Sequence, residues 1–455
     1  MIPSPNGAEE YWTSIDLSPR WGWILKRLPF RGLTPPAKYC RPFGTDGGIP
    51  SGLNPQSTIR NHRPLLTLRA SPQFTIRNPQ SGLRGRCGLP SIALLVLSVA
   101  CVVCAGLAFQ GGAARAAGAP GPTLPQFVTR ESVSAVEKGL KYLANTQRAD
   151  GSWLNSGGYG SYPSTMTSLA GLALLAGGST PEEGPYAQNV KRAMLYVIRL
   201  AQSDSDGLIA PAGEDRSMYG HGFSMLFLAE CYGMESSTKY EKQLREVLDK
   251  AVTLTAKAQS KRGGWIYTPS GYDPDNADEG SVTVTQLQAL RACRNVGIKV
   301  PKAVIDKAVK YLKDCQNADG GISYSYKTRG SSRPAISAAA IACFYAAGIY
   351  DRQAGGAGEE AATVDKLIRY CRSSIKGVDD RDQYLFYSQF YMAQAMYQHG
   401  GKDYEDYFPK IRDSLLSKQA ADGSWMGDAA GTTYGTALAT IILQLPYGYL
   451  PIYQR

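Results

Sequence analysis

The chain has 455 residues and a formal net charge of +11, but its excess of bases lies almost wholly in the first quarter. Residues 1–120 hold 13 Lys and Arg against 4 Asp and Glu, whereas residues 121–455 are nearly neutral. A nearly neutral body argues against a nucleic-acid-binding protein, whose domains are usually strongly basic.

Residues 1–87 form a basic leader that we predict to be disordered. This segment is rich in Pro, Arg, Ser and Gly and has no sustained hydrophobic periodicity. Such a composition cannot bury enough apolar surface to offset the entropy lost by an ordered chain. No methionine follows Met1 before Met166, so a start codon assigned too far upstream is an alternative origin for the leader.

Residues 88–110 contain an uncharged apolar run of 18 residues, from Ile92 to Phe109. Basic residues precede the run and small residues follow it, which is the layout of an export signal, and the run is also just long enough to span a bilayer. We therefore predict a signal peptide or a signal-anchor transmembrane helix, followed by a linker at 111–125. The bases before the run predict that residues 126–455 lie outside the cytosol.

Residues 126–455 carry a repeated heptapeptide of the pattern Gln-x-x-Asp-Gly-Ser-Trp. Its clearest copies begin at Gln147, Gln259 and Gln419, and degenerate copies begin at Gln202 and Gln316. Consecutive glutamines are 55, 57, 57 and 103 residues apart, and the last spacing fits two units. A fixed period of this size indicates a repeat architecture. We assign a structural role to the following motif residues: Gln147, Asp150, Gly151, Trp153, Gln259, Gly264, Trp265, Gln316, Asp319, Gly320, Gln419, Asp422, Gly423 and Trp425.

Two kinds of predicted helix alternate along the repeats. The segment before each glutamine is amphipathic, as in residues 240–258, where apolar residues recur at helical spacing opposite a charged face. The segment after each motif, as in residues 282–292, carries almost no charge and is expected to be buried on every face. Six such pairs predict an all-α (α/α)6 toroid, a double ring of six inner and six outer helices in which the motif joins an outer helix to an inner one.

Cysteine usage gives no sign of a disulfide framework. Five cysteines lie in the repeat region, an odd number, and none forms a C-x-x-C pair, which also argues against a zinc knuckle. We interpret them as small hydrophobic core residues. They are Cys231, Cys293, Cys315, Cys343 and Cys371.

The repeated motif resembles the QW motif of the prenyltransferase and squalene-oxidase repeat family, across residues 125–455. That family includes squalene–hopene and other triterpene cyclases and, with a looser motif, the β-subunits of protein prenyltransferases. The resemblance implies an (α/α)6 toroid. It does not specify a reaction, because function depends on the site that a fold carries. Single-chain cyclases of the family usually have two α-barrel domains, and this chain has length for one.

The acidic motif that the family's cyclases use is missing from this sequence. Triterpene cyclases begin their reaction with D-x-D-D, in which clustered carboxylates keep one acid protonated. The acids that come nearest to this pattern are candidates for a catalytic acid, and helix capping is the alternative interpretation for each of them. These candidates are Asp275, Asp278, Glu279, Asp379, Asp380 and Asp382.

The repeat region has no pattern typical of a metal or cofactor site. Prenyltransferases use a zinc site of Asp, Cys and His, but no Asp-x-Cys accompanies His221 or His399 here. His399 ends a predicted helix, where a lone histidine is usually a cap or solvated. The Cys-Gly-x-Gln motif of thioester-containing toroids is also missing. We therefore predict no metal and no cofactor.

The loops between the motifs and the inner helices are long and lie at one rim of the predicted ring, where rigid scaffolds usually carry binding sites. The N-termini of the inner helices point to this rim and favour an anionic ligand. In the predicted helix at 382–399, a stripe of tyrosines faces the central cavity, either to bind a ligand or to fill the middle of the ring. The ligand-binding candidates are Tyr219, His221, Tyr267, Tyr324, Tyr326, Tyr384, Tyr387 and Tyr391.

These observations leave three functions open. The first is an exported toroid protein of unassigned activity that binds an apolar, sugar-like or peptide ligand at the rim. The second is a terpenoid-cyclase-like enzyme that uses Asp379, Asp380 or Asp382 as its acid. The third is a carbohydrate-active enzyme with paired carboxylates. The sequence does not decide between an enzyme and a binding protein, and it identifies neither the ligand nor the oligomeric state.

Overall fold

A computed structural model describes residues 123–158, 160–235, 237–269, 278–353, 355–374 and 384–454. The predicted basic leader and the predicted signal or anchor segment lie outside these residues. No helix within the described ranges is both long enough and apolar enough to cross a membrane. Within the same ranges the regular secondary structure is helical, accompanied by isolated β-bridges and no strand.

Twelve α-helices of the described residues alternate between an amphipathic and an apolar type. The odd-numbered helices bury one face and expose charged residues on the other, whereas the even-numbered helices are buried on nearly every face. In chain order they are α1 (Arg130–Thr146), α2 (Pro163–Ala176), α3 (Ala187–Gln202), α4 (Ser217–Tyr232), α5 (Thr238–Lys257), α6 (Gly280–Asn295), α7 (Lys302–Asp314), α8 (Pro334–Ala346), α9 (Gly358–Ser374), α10 (Leu385–His399), α11 (Gly401–Lys418) and α12 (Thr432–Gln444).

The even-numbered helices form a closed inner ring. Each packs against the even-numbered helix before it and the one after it, and α12 packs against α2, which closes the circle. The odd-numbered helices lie outside them, and α11 packs against α1. The all-α double ring expected from the sequence is therefore confirmed for the described residues.

Each intact motif fixes its buried tryptophan in the same way. The indole N–H of Trp153 donates to the carbonyl oxygen of Leu143 at 2.8 Å, and its backbone N–H donates to the hydroxyl of Thr167, on α2, at 3.0 Å. Trp265 and Trp425 repeat both bonds with the carbonyl ten residues earlier and with a threonine on α6 or α12. The indole thus joins an outer helix to the inner helix that follows it, and no indole N–H is left unbonded in the core.

The motif glutamines join neighbouring repeats. The side-chain amide of Gln147 donates to Gly151 O within its own turn and to Asn189 O on α3, both at 2.9 Å. Gln259 and Gln316 make the same pair of bonds, with α7 and α9 as the neighbouring helix. Gln419 donates to Ala135 O on α1 at 2.9 Å, so it joins the last repeat to the first.

The motif glycine is required by both backbone conformation and space. Gly151 has a φ of 95°, and a Cβ atom built on it would lie 2.3 Å from the carbonyl oxygen of Arg192 on α3. Gly263 repeats this arrangement, with a φ of 105° and a distance of 2.2 Å to Lys307 O on α7. A side chain at either position would therefore push the next outer helix away.

The segment after α12 covers the far end of the ring, opposite the motif turns. It contains two short 3-10 helices, Leu445–Tyr447 and Pro451–Tyr453, and the second packs against α6. The ring of Tyr453 meets that of Phe390, on α10, with centroids 6.2 Å apart. Glu230, at the end of α4, is buried beneath this segment and bonds to the backbone of Ile452. Burial raises the pKa of Glu230 to about 8, because an ionised carboxylate loses its hydration there.

The centre of the ring is polar and filled where α6 and α10 face each other. These two helices are separated by α8 in the ring, yet their side chains meet across its axis. Thr285 and Tyr391 bring their hydroxyls within 3.4 Å, and Gln288 donates to Gln394 at 2.9 Å. The middle of the described ring therefore holds hydrogen-bonded side chains at these positions, as one of the two interpretations of the tyrosine stripe expects.

The five cysteines of the repeats are free and buried. Burial raises the pKa of the Cys343 and Cys371 thiols, because a thiolate would be desolvated there. These thiols pack as small apolar groups, in agreement with the interpretation from the sequence.

Candidate functional site

The rim consists of the loops that run from each motif to its inner helix, together with the first turns of the inner helices. Tyrosines occupy the third position of three of these helices: Tyr219 on α4, Tyr387 on α10 and Tyr434 on α12. All three side chains are half-buried, and Tyr387 lies close enough to the other two to interact with them electrostatically. The rim therefore brings phenol groups from separate repeats together near the ring axis.

Glu279 lies at the centre of this group. It is the N-cap residue of α6, and its carboxylate accepts hydrogen bonds from the backbone N–H groups of Ser281 and Val282 at 3.0 and 2.8 Å. The Tyr219 hydroxyl approaches Glu279 Oε1 at 3.3 Å and also bonds to the Ser281 hydroxyl. Burial raises the pKa of Glu279 in spite of these bonds, because only 2% of the residue is exposed. We call Tyr219, Glu279, Ser281 and Tyr387 the Glu279 cluster.

A pair of half-buried tyrosines borders the Glu279 cluster. The hydroxyls of Tyr267 and Tyr324 are hydrogen-bonded to each other, and the rings of Tyr219 and Tyr267 lie 6.0 Å apart. The guanidinium of Arg216 lies over the Tyr267 ring, 5.0 Å from its centroid. The backbone carbonyl of Tyr324 accepts the N–H of Gly280, which fixes this loop against the start of α6. Three predicted tyrosines thus form one surface beside a buried carboxyl group.

A second carboxyl group, Glu214, lies in the loop before α4. The hydroxyl of Ser164, on α2, bonds to its two carboxylate oxygens, each at 3.0 Å. Burial raises the pKa of Glu214 to about 8, although the Ser164 hydrogen bond favours the ionised form. The next residue, Asp215, is exposed and accepts a hydrogen bond from the Tyr162 hydroxyl at 3.0 Å. This pair is not among the acids predicted from the sequence, where its available signal is two adjacent acids directly before an apolar helix.

The acids predicted from the sequence fall into different places. Asp278 is buried and accepts a hydrogen bond from the Ser260 hydroxyl at 2.9 Å, so it holds a motif turn and does not face the rim. Glu279 caps α6, which was the alternative interpretation, and also faces the rim tyrosines. The remaining candidates lie outside the described residues: Asp275, Asp379, Asp380 and Asp382.

His221, predicted as a ligand-binding candidate, lies in the core and not on the rim surface. The residue has no exposed surface. Its Nδ1 accepts the N–H of Ile209 at 3.1 Å, and its Nε2 bonds to the Thr255 hydroxyl at 2.9 Å. Burial lowers the pKa of His221 to about 4, so the imidazole is a neutral connector between a motif turn and α5.

The tyrosine stripe of α10 divides into residues of different exposure. Tyr391 is fully buried at the ring axis, Tyr387 is half-buried above it, and Tyr384 is 45% exposed at the rim. Tyr326, in the loop before α8, is half-buried and stays a candidate for ligand contact. Direct contact of Tyr391 with a ligand is not compatible with its burial, whereas Tyr384 and Tyr387 remain accessible.

The far end of the ring carries a cluster of acidic and basic side chains around His399. His399 is 3% exposed and lies between Asp351, 3.2 Å from its Nδ1, and Asp403, 2.8 Å from its Nε2. Arg372 binds both carboxylate oxygens of Asp403, at 2.7 and 2.6 Å. His399 is therefore not solvated, because Asp351, from the connection after α8, and Asp403, four residues away at the start of α11, lie on either side of the imidazole.

No protein-family model matches the chain, and no curated protein matches it. Among solved structures, an inactive variant of the α-1,6-mannanase GH76A of Salegentibacter sp. HEL1_6, in complex with α-1,6-mannotriose, aligns with a TM-score of 0.52 and 10% identity over 70% of this chain and 99% of that chain. The type II terpene cyclase MstE from Scytonema aligns with a TM-score of 0.47 and 12% identity, and a protein from Actinoplanes with 0.45 and 15%, each over the same shares. At such identities the likeness concerns the fold alone, an α/α toroid.

Proposed function

We propose that the rim binds a saccharide chain. The observation that carries this proposal is the surface of half-buried tyrosines around the buried carboxyl group of Glu279. Pyranose rings present apolar C–H faces and a belt of hydroxyl groups. Tyr267 and Tyr324 offer aromatic surface together with polar edges, and the half-buried hydroxyl-bearing side chains of Tyr219 and Tyr387 lie beside them.

The polar centre of the ring favours a sugar over a hydrocarbon ligand. A terpenoid substrate needs a deep apolar cavity, whereas Thr285, Gln288, Tyr391 and Gln394 fill the axis between α6 and α10 with hydrogen-bonding groups. The terpenoid-cyclase alternative depends on Asp379, Asp380 or Asp382 and stays a hypothesis, since these residues lie outside the described ranges. Binding of a peptide or a wholly apolar molecule also stays an alternative.

Hydrolysis of the bound saccharide is a second candidate function, and it is favoured by the pair at the start of α4. With a pKa of about 8, Glu214 keeps its proton at neutral pH and can donate it to the leaving glycosidic oxygen. The adjacent Asp215 is exposed and can act as the base that activates water. The mannanase neighbour acts on a saccharide according to its name, but its likeness concerns only the fold.

Binding is tested with the full chain and a panel of soluble polysaccharides: neutral mannan, xylan and dextran, and anionic polygalacturonate and dextran sulfate. We expect at least one to bind in isothermal titration, and we expect Tyr267→Ala and Tyr324→Ala to weaken that binding at least ten-fold, or about 1.4 kcal/mol. The matched control is Tyr447→Ala with Tyr449→Ala, at the far end of the ring, whose affinity should be unchanged. Absence of binding to every polysaccharide contradicts the proposal.

Hydrolysis is tested by measuring released reducing ends from whichever polysaccharide binds. Glu214→Gln should abolish release while binding is retained, and the wild-type rate should fall above pH 8 as Glu214 loses its proton. Release that survives in the Glu214→Gln variant rules out this role for Glu214 and leaves the binding proposal standing.

A further inference from the structure

A basic patch lies on the rim beside the proposed saccharide site. We define it as Arg262, Lys327 and Arg329, grouped around Tyr326. The guanidinium groups of Arg262 and Arg329 both lie over the Tyr326 ring, 4.8 and 5.0 Å from its centroid. Their Cζ atoms are therefore no more than about 10 Å apart. The three basic side chains are exposed, whereas Tyr326 is half-buried.

The turn that carries Tyr326 and Arg329 is well fixed. The N–H of Arg329 donates to Ser325 O at 3.0 Å, and the N–H of Thr328 donates to the Ser325 hydroxyl at 3.1 Å. Arg329 has a φ of 41°, a left-handed conformation that is strained for an L-residue and that glycine adopts freely. Arg329 therefore occupies a strained backbone position, and its charged group lies beside the same tyrosine ring as that of Arg262.

Within the described part of the chain, no carboxylate is paired with the guanidinium group of either Arg262 or Arg329. Asp314, on the adjacent α7, is already bound to Lys310 at 2.5 Å, and Asp319 accepts the Ser332 hydroxyl at 2.6 Å. Two like charges within about 10 Å of each other repel weakly in water, and an oxyanion bound by either guanidinium lowers that repulsion.

The basic patch is continuous with the saccharide site. Tyr326 is two residues beyond Tyr324 in the same loop, and Arg216 stacks on Tyr267 just as Arg262 and Arg329 stack on Tyr326. An exposed guanidinium presents a planar fork of N–H donors, which suits bidentate binding of carboxylate or sulfate.

We infer that the saccharide is anionic and that Arg262 and Arg329 bind its carboxylate or sulfate groups. This inference rests on the proposed function and adds the class of ligand to it. Neutral saccharides of the same backbone would fill the tyrosine surface and leave the basic patch unneutralised, so they would bind more weakly.

The test compares the full chain with two variants that each lose two positive charges. Arg262→Gln with Arg329→Gln removes the basic patch. Arg245→Gln with Arg352→Gln is the control, since both arginines are exposed in ion pairs at the far end of the ring. The probes are polygalacturonate against its methyl ester and dextran sulfate against dextran, which separates carboxylate from sulfate recognition. Melting curves check that every variant is folded.

We expect the wild type to bind one anionic polymer at least ten-fold more tightly than its neutral form, with an affinity that falls as salt rises. The patch variant should lose that preference, and the control variant should keep it. Equal binding of charged and neutral polymers, or equal losses in both variants, overturns the inference. If a neutral polymer binds through Tyr267 and Tyr324 without regard to the arginines, the proposed function survives alone. If no polymer binds, both fail.

Discussion

The side-chain amide of Gln288 donates a hydrogen bond to the side-chain oxygen of Gln394 at 2.9 Å, across the axis of the ring. Both residues are buried, and the helices that carry them, α6 and α10, are not neighbours in the inner ring. Gln394 in turn donates to Phe390 O on its own helix at 3.2 Å. A buried bond of this kind stabilises the folded state chiefly because the loss of either partner leaves the other unsatisfied.

Replacement of these two glutamines should reveal their coupling. Gln288→Ala and Gln394→Ala should each lower the free energy of unfolding by about 1–3 kcal/mol, because each leaves a buried polar group unpaired. The double variant should lose about 1 kcal/mol less than the two single losses together. Urea unfolding of the four proteins measures this, with the exposed Gln188→Ala as a control. Strict additivity would show that the bond contributes nothing.

The motif glutamines predict where flexibility appears when a repeat junction is weakened. Gln259→Ala and Gln419→Ala remove equivalent pairs of hydrogen bonds, so each should lower the unfolding free energy by about 1–3 kcal/mol. Hydrogen–deuterium exchange should rise in α7 for the first variant and in α1 for the second, because their lost bonds end at Val304 and Ala135. The two variants are each other's control, and exchange that rises in the same helix for both would contradict the assignment.

Two glycines with similar backbone conformations, Gly213 and Gly151, allow the energetic cost of backbone strain to be distinguished from that of a steric clash. Gly213 has a φ of 82° and no atom within 4 Å of a built Cβ, whereas the Cβ of Gly151 would lie 2.3 Å from Arg192 O. Gly213→Ala should therefore lower the free energy of unfolding by about 1–2 kcal/mol, which is the effect of a positive φ alone. Gly151→Ala should cost more, since α3 must also move. Thermal unfolding measures both losses of stability. Equal losses would mean that α3 moves away from residue 151 at little cost in free energy.

The raised pKa of Glu230 predicts that the stability difference between the wild type and Glu230→Gln depends on pH. Its pKa is about 8 in the folded chain and 4.5 ordinarily, so the folded state loses stability as pH rises from 4.5 to 8. Glu230→Gln cannot ionise, and it keeps an oxygen to accept the Ile452 N–H. The variant should match the wild type near pH 4.5, become progressively more stable up to pH 8 and keep that advantage above it.

The control for this prediction is Glu246→Gln, in an exposed ion pair with Lys242 on α5. Its melting temperature should follow that of the wild type within a narrow margin, since exposed pairs contribute little. A Glu230→Gln advantage that fails to widen with pH would mean that the carboxylate is hydrated in the folded chain.

The architecture could be predicted from the sequence because its causes are local and repeated. Apolar residues recur at helical spacing in α5 and fill every face of α8, and the motif returns at a nearly constant period, so burial pattern and unit length both follow from the chain. The helical spacing of the α10 tyrosines likewise predicts that they face the centre of the ring.

The polar contacts could not be predicted, because they join residues far apart in the sequence. Ser164 meets Glu214 across 50 residues, and His399 meets Asp351 from the connection between α8 and α9, whereas its second acid, Asp403, is only four residues away. A lone histidine or acid carries no signal of such partners. The burial of His221 is likewise not visible in the sequence, because a buried neutral imidazole and an exposed one carry the same signal there.

The bond from Gln419 to Ala135 makes the junction between the last and first repeats chemically the same as the internal ones. Among the described residues this bond occurs at four junctions between outer helices, those of Gln147, Gln259, Gln316 and Gln419, and the junction that closes the ring is one of them. A circularly permuted chain that begins at a different connection would keep the same hydrogen bonds between repeats. The order of the repeats around the ring therefore matters more for the fold than the position of the termini.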